Sequence, residues 1–225
     1  MTNSTKAGAM TPHAQATGRV VEVAHPLVRH KLTLLRKVDT DTRDFRALTS
    51  EIATLLCYEA TKDLPTEPVE IDTPLEQMTG QQVSGKKVGV VPILRAGLGM
   101  LDGVMQLLPV ARVGFIGLYR DEETLEPHAY YEKFPPDLNE RDVLLLDPML
   151  ATGGSVSAAV ASVKASGANT IRLLSVLAAP EGIARLHADH PDVDIYVAGI
   201  DRQLNERGYI CPGLGDAGDR LFGTR

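Results

Sequence analysis

A single carboxylate, Asp147, stands at the end of an apolar run in VLLLDPMLATGGS, residues 143 to 155. A charge at the tip of a buried strand has little structural use, but it accepts hydrogen bonds well from sugar hydroxyls or metal-bound water. Thr152, Gly153, Gly154 and Ser155 follow closely, all small and polar. A turn of that composition leading into a helix offers unsatisfied N–H groups and the positive end of the helix dipole to an anion. Glycine lets a phosphate come close to the backbone, and the hydroxyls of Thr152, Ser155 and Ser157 supply further donors. The same residues also suit an ordinary strand-to-helix turn with a serine cap; Asp147 tips the reading toward a ligand.

Arg95 comes directly after the apolar run VVPIL, and Arg120 closes FIGLY. Either alone reads as a surface cation or an ion-pair partner. Two of them at the ends of neighbouring strands, in a chain with a phosphate-type turn, read as a clamp for a second, highly charged group. His187 and His190 with Asp189 and Asp192 have suitable chemistry for a metal, but a helix end before Pro191 accounts for them more simply. No spacing supports a Ser-His-Asp or Cys-His nucleophile. Cys57, on an apolar helix face, reads as a small buried hydrophobe.

Three other glycine patterns compete for a phosphate. GQQVSGKK, from Gly80 to Lys87, nearly matches a phosphate loop, but it ends in lysine where serine or threonine is needed and it precedes a strand. GLGDAG, from Gly213 to Gly218, has dinucleotide spacing with only DRLFGTR after it, leaving no room for the helix and later acid of such a fold. GLGMLDG, with Gly97, Gly99 and Gly103, is the serious rival. It follows a strand, opens a helix, and Asp121 or Glu122 stands at the end of the next strand. That pattern supports an NAD(P)-dependent oxidoreductase; against it, PILR separates the strand from the glycines, so the turn is not tight.

These residues need a scaffold to bring them together. Apolar residues recur at helical spacing from Leu27 to about Val38 and from Thr42 to about Lys62, where Phe45, Leu48, Ile52, Leu55 and Leu56 share one face. After Pro65 the pattern turns to short apolar runs bounded by Gly, Pro and Asp: KVGVVPIL, ARVGFIGLY, VLLLD, IRLLSVLAA and DIYVAGI. Most are apolar on both faces, as strands of a covered parallel sheet are. Helical patterns separate them at Leu98–Leu108, Gly154–Ser166 and Glu181–His187. The alternation predicts an α/β domain with right-handed crossovers and a ligand site outside the carboxyl ends of its strands. RDEETLEPHAYYEKFPPD, residues 120 to 137, is longer and more polar than a usual connection and predicts a mobile arm or hairpin.

With 225 residues, 44% of them hydrophobic, the chain can bury one sizeable core. Residues 19–225 are expected to form one domain after a loose tail, residues 1–18, that fits neither a signal peptide nor a spanning helix. Lysine and arginine number 23 against 29 acids, a net charge of −6. That balance argues against nucleic-acid and membrane partners and makes any phosphate site local. Two cysteines, far apart and without CxxC spacing, suit a reducing compartment, the cytoplasm.

LLLDPMLATGGS resembles the phosphoribosyl-diphosphate signature of the phosphoribosyltransferases, in the form carried by the uracil phosphoribosyltransferase family. RGYICPGLGDAGDRLFGT resembles that family's uracil-binding segment, and PILRAGLGM matches as well. The resemblance runs from about Val23 to the C-terminus, three separated motifs in the right order. It implies a phosphoribosyltransferase-type, Rossmann-like α/β fold: a parallel sheet flanked by helices, a projecting hairpin arm at about 120–137, and a C-terminal base-binding hood at about 201–223. The activity implied is transfer of the 5-phosphoribosyl group from 5-phospho-α-D-ribose 1-diphosphate to uracil, giving UMP and diphosphate, with Mg2+.

By the same resemblance the donor would lie on Arg95, Arg120, Asp147, Pro148, Met149, Leu150, Ala151, Thr152, Gly153, Gly154, Ser155 and Asp216. Uracil would lie on Ile210, Gly215, Asp216 and Ala217, read through backbone groups. Asp147, Asp216 and Arg120 would carry catalysis. Many phosphoribosyltransferases have two adjacent acids where this chain has Asp147 and Pro148, so Mg2+ would be held mainly by substrate and water, with Asp216 as its protein contact. A homo-oligomer of at least two chains is implied, as is, from some relatives, a GTP effector. A nucleotide-sensing regulator without catalysis, on the same fold, stays open beside the oxidoreductase.

Overall fold

A computed structural model describes residues 18–85, 88–120 and 127–224, apart from the side chains of Arg120 and Pro127. The expectations for the tail up to residue 17, for Lys87, for Asp121 and Glu122, for the middle of the arm and for the Arg120 side chain lie outside the described residues.

The first elements are β1 (Val20–Glu22), α1 (Pro26–Arg36) and α2 (Thr42–Ala60). Both helices start on a side-chain cap: His25 Nδ1 accepts from the Leu27 N–H at 3.2 Å, and the Asp41 carboxylate accepts from the Asp44 N–H at 2.8 Å. Along α2, Phe45, Thr49, Ile52, Ala53, Leu56, Cys57 and Ala60 form one buried stripe. Leu48 and Leu55 pack at its margins. A separate two-stranded hairpin follows, β2 (Thr66–Asp72) and β3 (Gln77–Val83). Then come β4 (Gly89–Leu94), α3 (Leu98–Leu107), β5 (Arg112–Val113), β6 (Phe115–Arg120) and β7 (Pro127–Lys133). The second half holds β8 (Asp142–Leu146), β9 (Met149–Leu150), α4 (Gly154–Ala165), β10 (Thr170–Ala178), α5 (Pro180–Asp189) and β11 (Asp194–Ile200). Two short strands, β12 (Gln203–Leu204) and β13 (Ile210–Cys211), and a short helix, α6 (Ala217–Phe222), complete the set.

The main sheet runs β1-β11-β10-β8-β4-β6-β7, with every pairing parallel except the last, where β7 runs antiparallel to β6. Strand alternation explains why these runs are apolar throughout. Leu144 and Leu146 of β8 join a core with residues of α1, α2, α3 and α6, while Val143 and Leu145 join one with α4 and α5. The same split divides Leu174 from Leu173 and Tyr196 from Ile195. From β4 the chain steps to β6 on one side; from β8 it steps to β10 and β11 on the other. Right-handed crossovers then put α3 and α4 on opposite faces. The strand order reverses between β4 and β8, which is where an open α/β sheet leaves a crevice at its carboxyl ends.

Three details depart from the sequence expectations. ARVGFIGLY is two strands: β5 pairs with the start of β4 and β6 with its end, divided at Gly114, whose N–H bonds to the Val90 carbonyl at 2.9 Å. The hairpin of β2 and β3 had no apolar signal because its residues are mostly polar and exposed. The 120–137 stretch, expected as an arm or hairpin, does supply the second strand of one, β7, antiparallel to β6 at the sheet edge. GLGDAG does lead into a helix, α6, of only six residues.

At the amino ends of the strands a charged network ties the far rim. Arg19 Nη2 donates to Asp194 at 2.6 Å, Arg172 pairs with Asp63 at 2.9 Å, and Arg19 lies 3.6 Å from the same Asp63. Arg172 also donates to the Ala60 carbonyl. Its Nε is buried without a hydrogen-bond partner among the described residues.

Candidate active site

Because β8 ends at Leu146 in the centre of the sheet, Asp147 emerges at the crevice. Its N–H still bonds to the Leu174 carbonyl at 3.2 Å, and its Oδ1 accepts the Met149 N–H at 3.3 Å. Burial pushes this carboxyl up to about 7, and the Met149 hydrogen bond offsets only part of the effect. A carboxyl raised in this way at a cleft marks Asp147 as a candidate functional position.

The chain then continues along β10, with β9 pairing parallel to it. Val176 and Leu177 both donate to the Pro148 carbonyl at 3.0 Å, the Leu150 N–H donates to Ser175 Oγ at 3.2 Å, and the Ala179 N–H to the Leu150 carbonyl at 2.9 Å. Pro148 and Leu150 thus brace the loop from behind, and Leu150 is fully buried. Ala151, Thr152, Gly154 and Ser155 remain partly exposed. Gly153 has φ +79°, and a Cβ there would lie 2.9 Å from the Gly182 carbonyl oxygen, so conformation and space both require glycine. No side chain caps α4 after it, which leaves the helix start available to an anion.

Ser157 corrects the sequence expectation. Its hydroxyl donates to Asp189 Oδ2 at 2.6 Å, and Arg185 reaches the same oxygen at 2.7 Å, so Ser157 fastens α4 to α5. His190 engages the Ser157 carbonyl at 3.0 Å and His187 the Val193 carbonyl at 3.1 Å. Among the described residues no group of three His, Cys, Asp or Glu side chains is placed to hold a metal.

Arg95 follows β4 and lines the cleft. β4 and β6 are hydrogen-bonded neighbours with Leu94 opposite Gly117, so β4 ends first and the backbone of Arg120 lies about two residues further along β6 than the level of Arg95. Residues 201–218 face them as a hood. Between β12 and β13 the turn is closed by Asn205, whose Oδ1 accepts the N–H groups of Arg207 at 2.9 Å and Tyr209 at 3.0 Å. Glu181 of α5 anchors the hairpin through the Leu204 N–H at 3.0 Å. Ile210 and Ala217 are buried, and Gly215 has φ +83°. Asp216 is exposed and caps α6, its Oδ1 accepting the Asp219 N–H at 2.9 Å. The N–H groups of Gly215 and Ala217 have no acceptor among the described residues.

Together with Asp147, Met149 and Ala151, these residues enclose a cleft of about 380 Å³. Arg207 and Tyr209 line it as well, and the sequence reading did not single them out. Their only signal was membership of the RGYICPG run. The rival glycine run is occupied by packing: a Cβ at Gly97 would lie 2.4 Å from the Leu146 carbonyl oxygen, and one at Gly103 would lie 2.0 Å from that of Ser50. Gly97 and Gly103 thus seat α3 against the sheet and α2, and Gly99 packs on Leu221 of α6.

Solved structures carry the same architecture. A protein from Aquifex aeolicus is 41% identical with a TM-score of 0.86, covering 90% of this chain and 97% of its own. Adenine phosphoribosyl transferase from Trypanosoma brucei, only 14% identical, has a TM-score of 0.55 over 88% of this chain and 87% of its own. The sheet therefore has a phosphoribosyltransferase-type fold. The family model described as uracil phosphoribosyltransferase matches residues 21–224, and the chain belongs to that family. Relatives of that name include proteins from Finegoldia magna and Clostridioides difficile, each 58% identical over 207 residues, spanning 92% of this chain and 99% of the relative.

Proposed function

We propose that this chain transfers the 5-phosphoribosyl group from 5-phospho-α-D-ribose 1-diphosphate to uracil, releasing UMP and diphosphate. One observation carries the reading: a single cleft gathers Arg95, Asp147 and Ala151 against the hood residues Ile210, Gly215 and Ala217, although they are far apart in the chain.

The 5-phosphate rests on the Ala151–Ser155 turn and the first amides of α4. Asp147 accepts from the ribose hydroxyls and, when ionised, offsets the positive charge that develops on the sugar as its bond to diphosphate breaks. Arg95 and Arg120 hold the departing diphosphate and neutralise it. Positioning and charge suffice for this chemistry, so no covalent nucleophile is required. Uracil presents an acceptor, a donor and an acceptor along one edge, and backbone groups at Gly215, Ala217 and Ile210 answer that pattern without a charged side chain.

Mg2+ favours oxygen ligands, keeps several waters and is usually held through substrate phosphates with one or two carboxylates. Asp216, with one oxygen outside its cap bond, and Asp147 fit that donor set despite Pro148 standing where a second acid is common. Bound there, the ion would supply charge neutralisation on the diphosphate.

The chain acts in the cytoplasm as a homo-oligomer of at least two copies, with GTP as its effector. Two free cysteines support the reducing compartment; burial pushes the Cys57 thiol up to about 12. Exposed Ile71, Leu75 and Met78 on the β2–β3 hairpin support assembly, since a two-stranded sheet alone is marginal in water. GTP rests on the family resemblance alone. Among the described residues no helix is long and apolar enough to cross a membrane. Conversion of labelled uracil to UMP with matching diphosphate release is the test. Binding of both substrates without turnover would identify a nucleotide-sensing regulator instead.

A further inference from the structure

Behind the base-reading segment lies a side-chain pair that the reaction itself does not touch. Asp201 follows β11 directly, with its N–H on the Ala178 carbonyl at 2.9 Å and its side chain 7% exposed. Arg36, the last residue of α1, grips both of its oxygens: Nη2 donates to Oδ1 at 2.6 Å and Nη1 to Oδ2 at 2.8 Å. Two further bonds converge on one residue, Gly213. Its N–H donates to Asp201 Oδ2 at 2.8 Å, and its carbonyl accepts from Arg36 Nη1 at 2.9 Å. Gly213 has φ +66° and packs so closely on the turn that a Cβ would lie 2.1 Å from the Ile210 carbonyl oxygen.

Burial opposes charge on Asp201, yet the bonds from Arg36 and Gly213 outweigh it and hold its carboxyl below the ordinary range. An apolar pair of the same volume would serve stability as well or better. What an apolar pair cannot do is fix the direction of both the N–H and the C=O of Gly213. That direction sets the course of the chain from Ile210 to Gly215 and Ala217. None of the donor contacts on β4, β8 or α4 is bonded to the pair.

We infer that Arg36 and Asp201 are positioning residues for base recognition, holding the 210–217 turn in the geometry at which its backbone reads uracil. This rests on the assignment of that turn to uracil. Arg36→Lys keeps the charge but loses the two-pronged grip, and Asp201→Asn keeps the shape but loses the charge. In each variant the uracil KM should rise by roughly tenfold or more, as expected for losing a charge-assisted bond. The donor KM should stay within about twofold, since an interaction removed at the base alone leaves donor binding in place. Discrimination against cytosine should narrow as well.

Kinetics are to be run well below the melting temperature of each variant, and if Asp201→Asn does not fold, Arg36→Lys gives the same readout. Parallel rises in both KM values, or a lower kcat with the uracil KM unchanged, would overturn the inference by showing only general support of the fold. Ala217→Pro, which removes a base-facing N–H, tests the underlying assignment separately. If it leaves uracil use intact, the turn does not read the base and the inference falls with it. If it damages uracil use while both pair variants keep the wild-type uracil KM, the turn reads the base but the pair does not position it.

Discussion

Replacing Asp147 with asparagine should make the protein more stable in alkali while disabling it. The carboxyl moves from an ordinary 3.8 to about 7 on folding, so between those values the native state holds a proton that the unfolded chain has released. A raised value stabilises the fold fully below about 3.8, and that contribution is lost as pH rises through about 7. The shift is about three units, and at ~1.36 kcal/mol per unit its ceiling is ~4 kcal/mol. Asp147 is partly open to the cleft, so solvent screening reduces this by about half, to ~2 kcal/mol. For a chain of this size that corresponds to ~4–8 °C in melting temperature. Asp147→Asn is neutral at every pH. Its melting temperature should exceed that of the wild-type protein by this amount at pH 8.5, with the gap shrinking steadily as pH falls toward 5. Calorimetry without donor or Mg2+ measures the gap, and turnover by the same variant should drop on the order of 10²-fold. A gap that does not change with pH, or a variant less stable than wild type at pH 8.5, would refute the claim that burial of this charge is what raises it.

Arg95→Ala and Arg120→Ala should each raise the donor KM more than the uracil KM in steady-state assays; a rise confined to uracil would remove both from the diphosphate clamp. Cytosine, which sets donor against donor at the base edge, should be rejected by more than about 10²-fold in kcat/KM, while 5-fluorouracil, whose edge is unchanged, should be converted. Comparable values for cytosine and uracil would rule out backbone reading by Gly215 and Ala217. Gly153→Ala forces a side chain into a left-handed conformation against the Gly182 carbonyl, which should cost ~1–2 kcal/mol of stability and raise the donor KM, read by melting and kinetics together.

The strands and Asp147 could be read from the chain because both follow local rules. VLLL is apolar at every position since β8 has helices on both faces, and a carboxylate ending such a run is conspicuous. Gly153 and the turn into α4 were legible for the same reason. Interactions across long separations were not. The Ser157 hydroxyl looked like a ligand donor until Asp189, 32 residues on, took it. The glycines of α3 looked like a cofactor loop until the Ser50 carbonyl appeared where a Cβ at Gly103 would be. Arg36 and Asp201, 165 residues apart, had no shared pattern at all. The polar hairpin of β2 and β3 buries too little for its alternation to show.

The charged rim of Arg19, Asp63, Arg172 and Asp194 lies at the opposite end of the strands from the cleft. In the sheet's register Arg172 lies beside Leu144, three residues before Asp147, so rim and cleft floor are roughly 10 Å apart along the strands. Substitutions that far apart, with no shared partners, add independently. Networked charges also gain worth as temperature rises and the penalty for dehydrating them falls. Heat tolerance can therefore be bred into this rim while catalysis is left alone, and the unsatisfied Nε of Arg172 is the position where an engineered acceptor has most to gain.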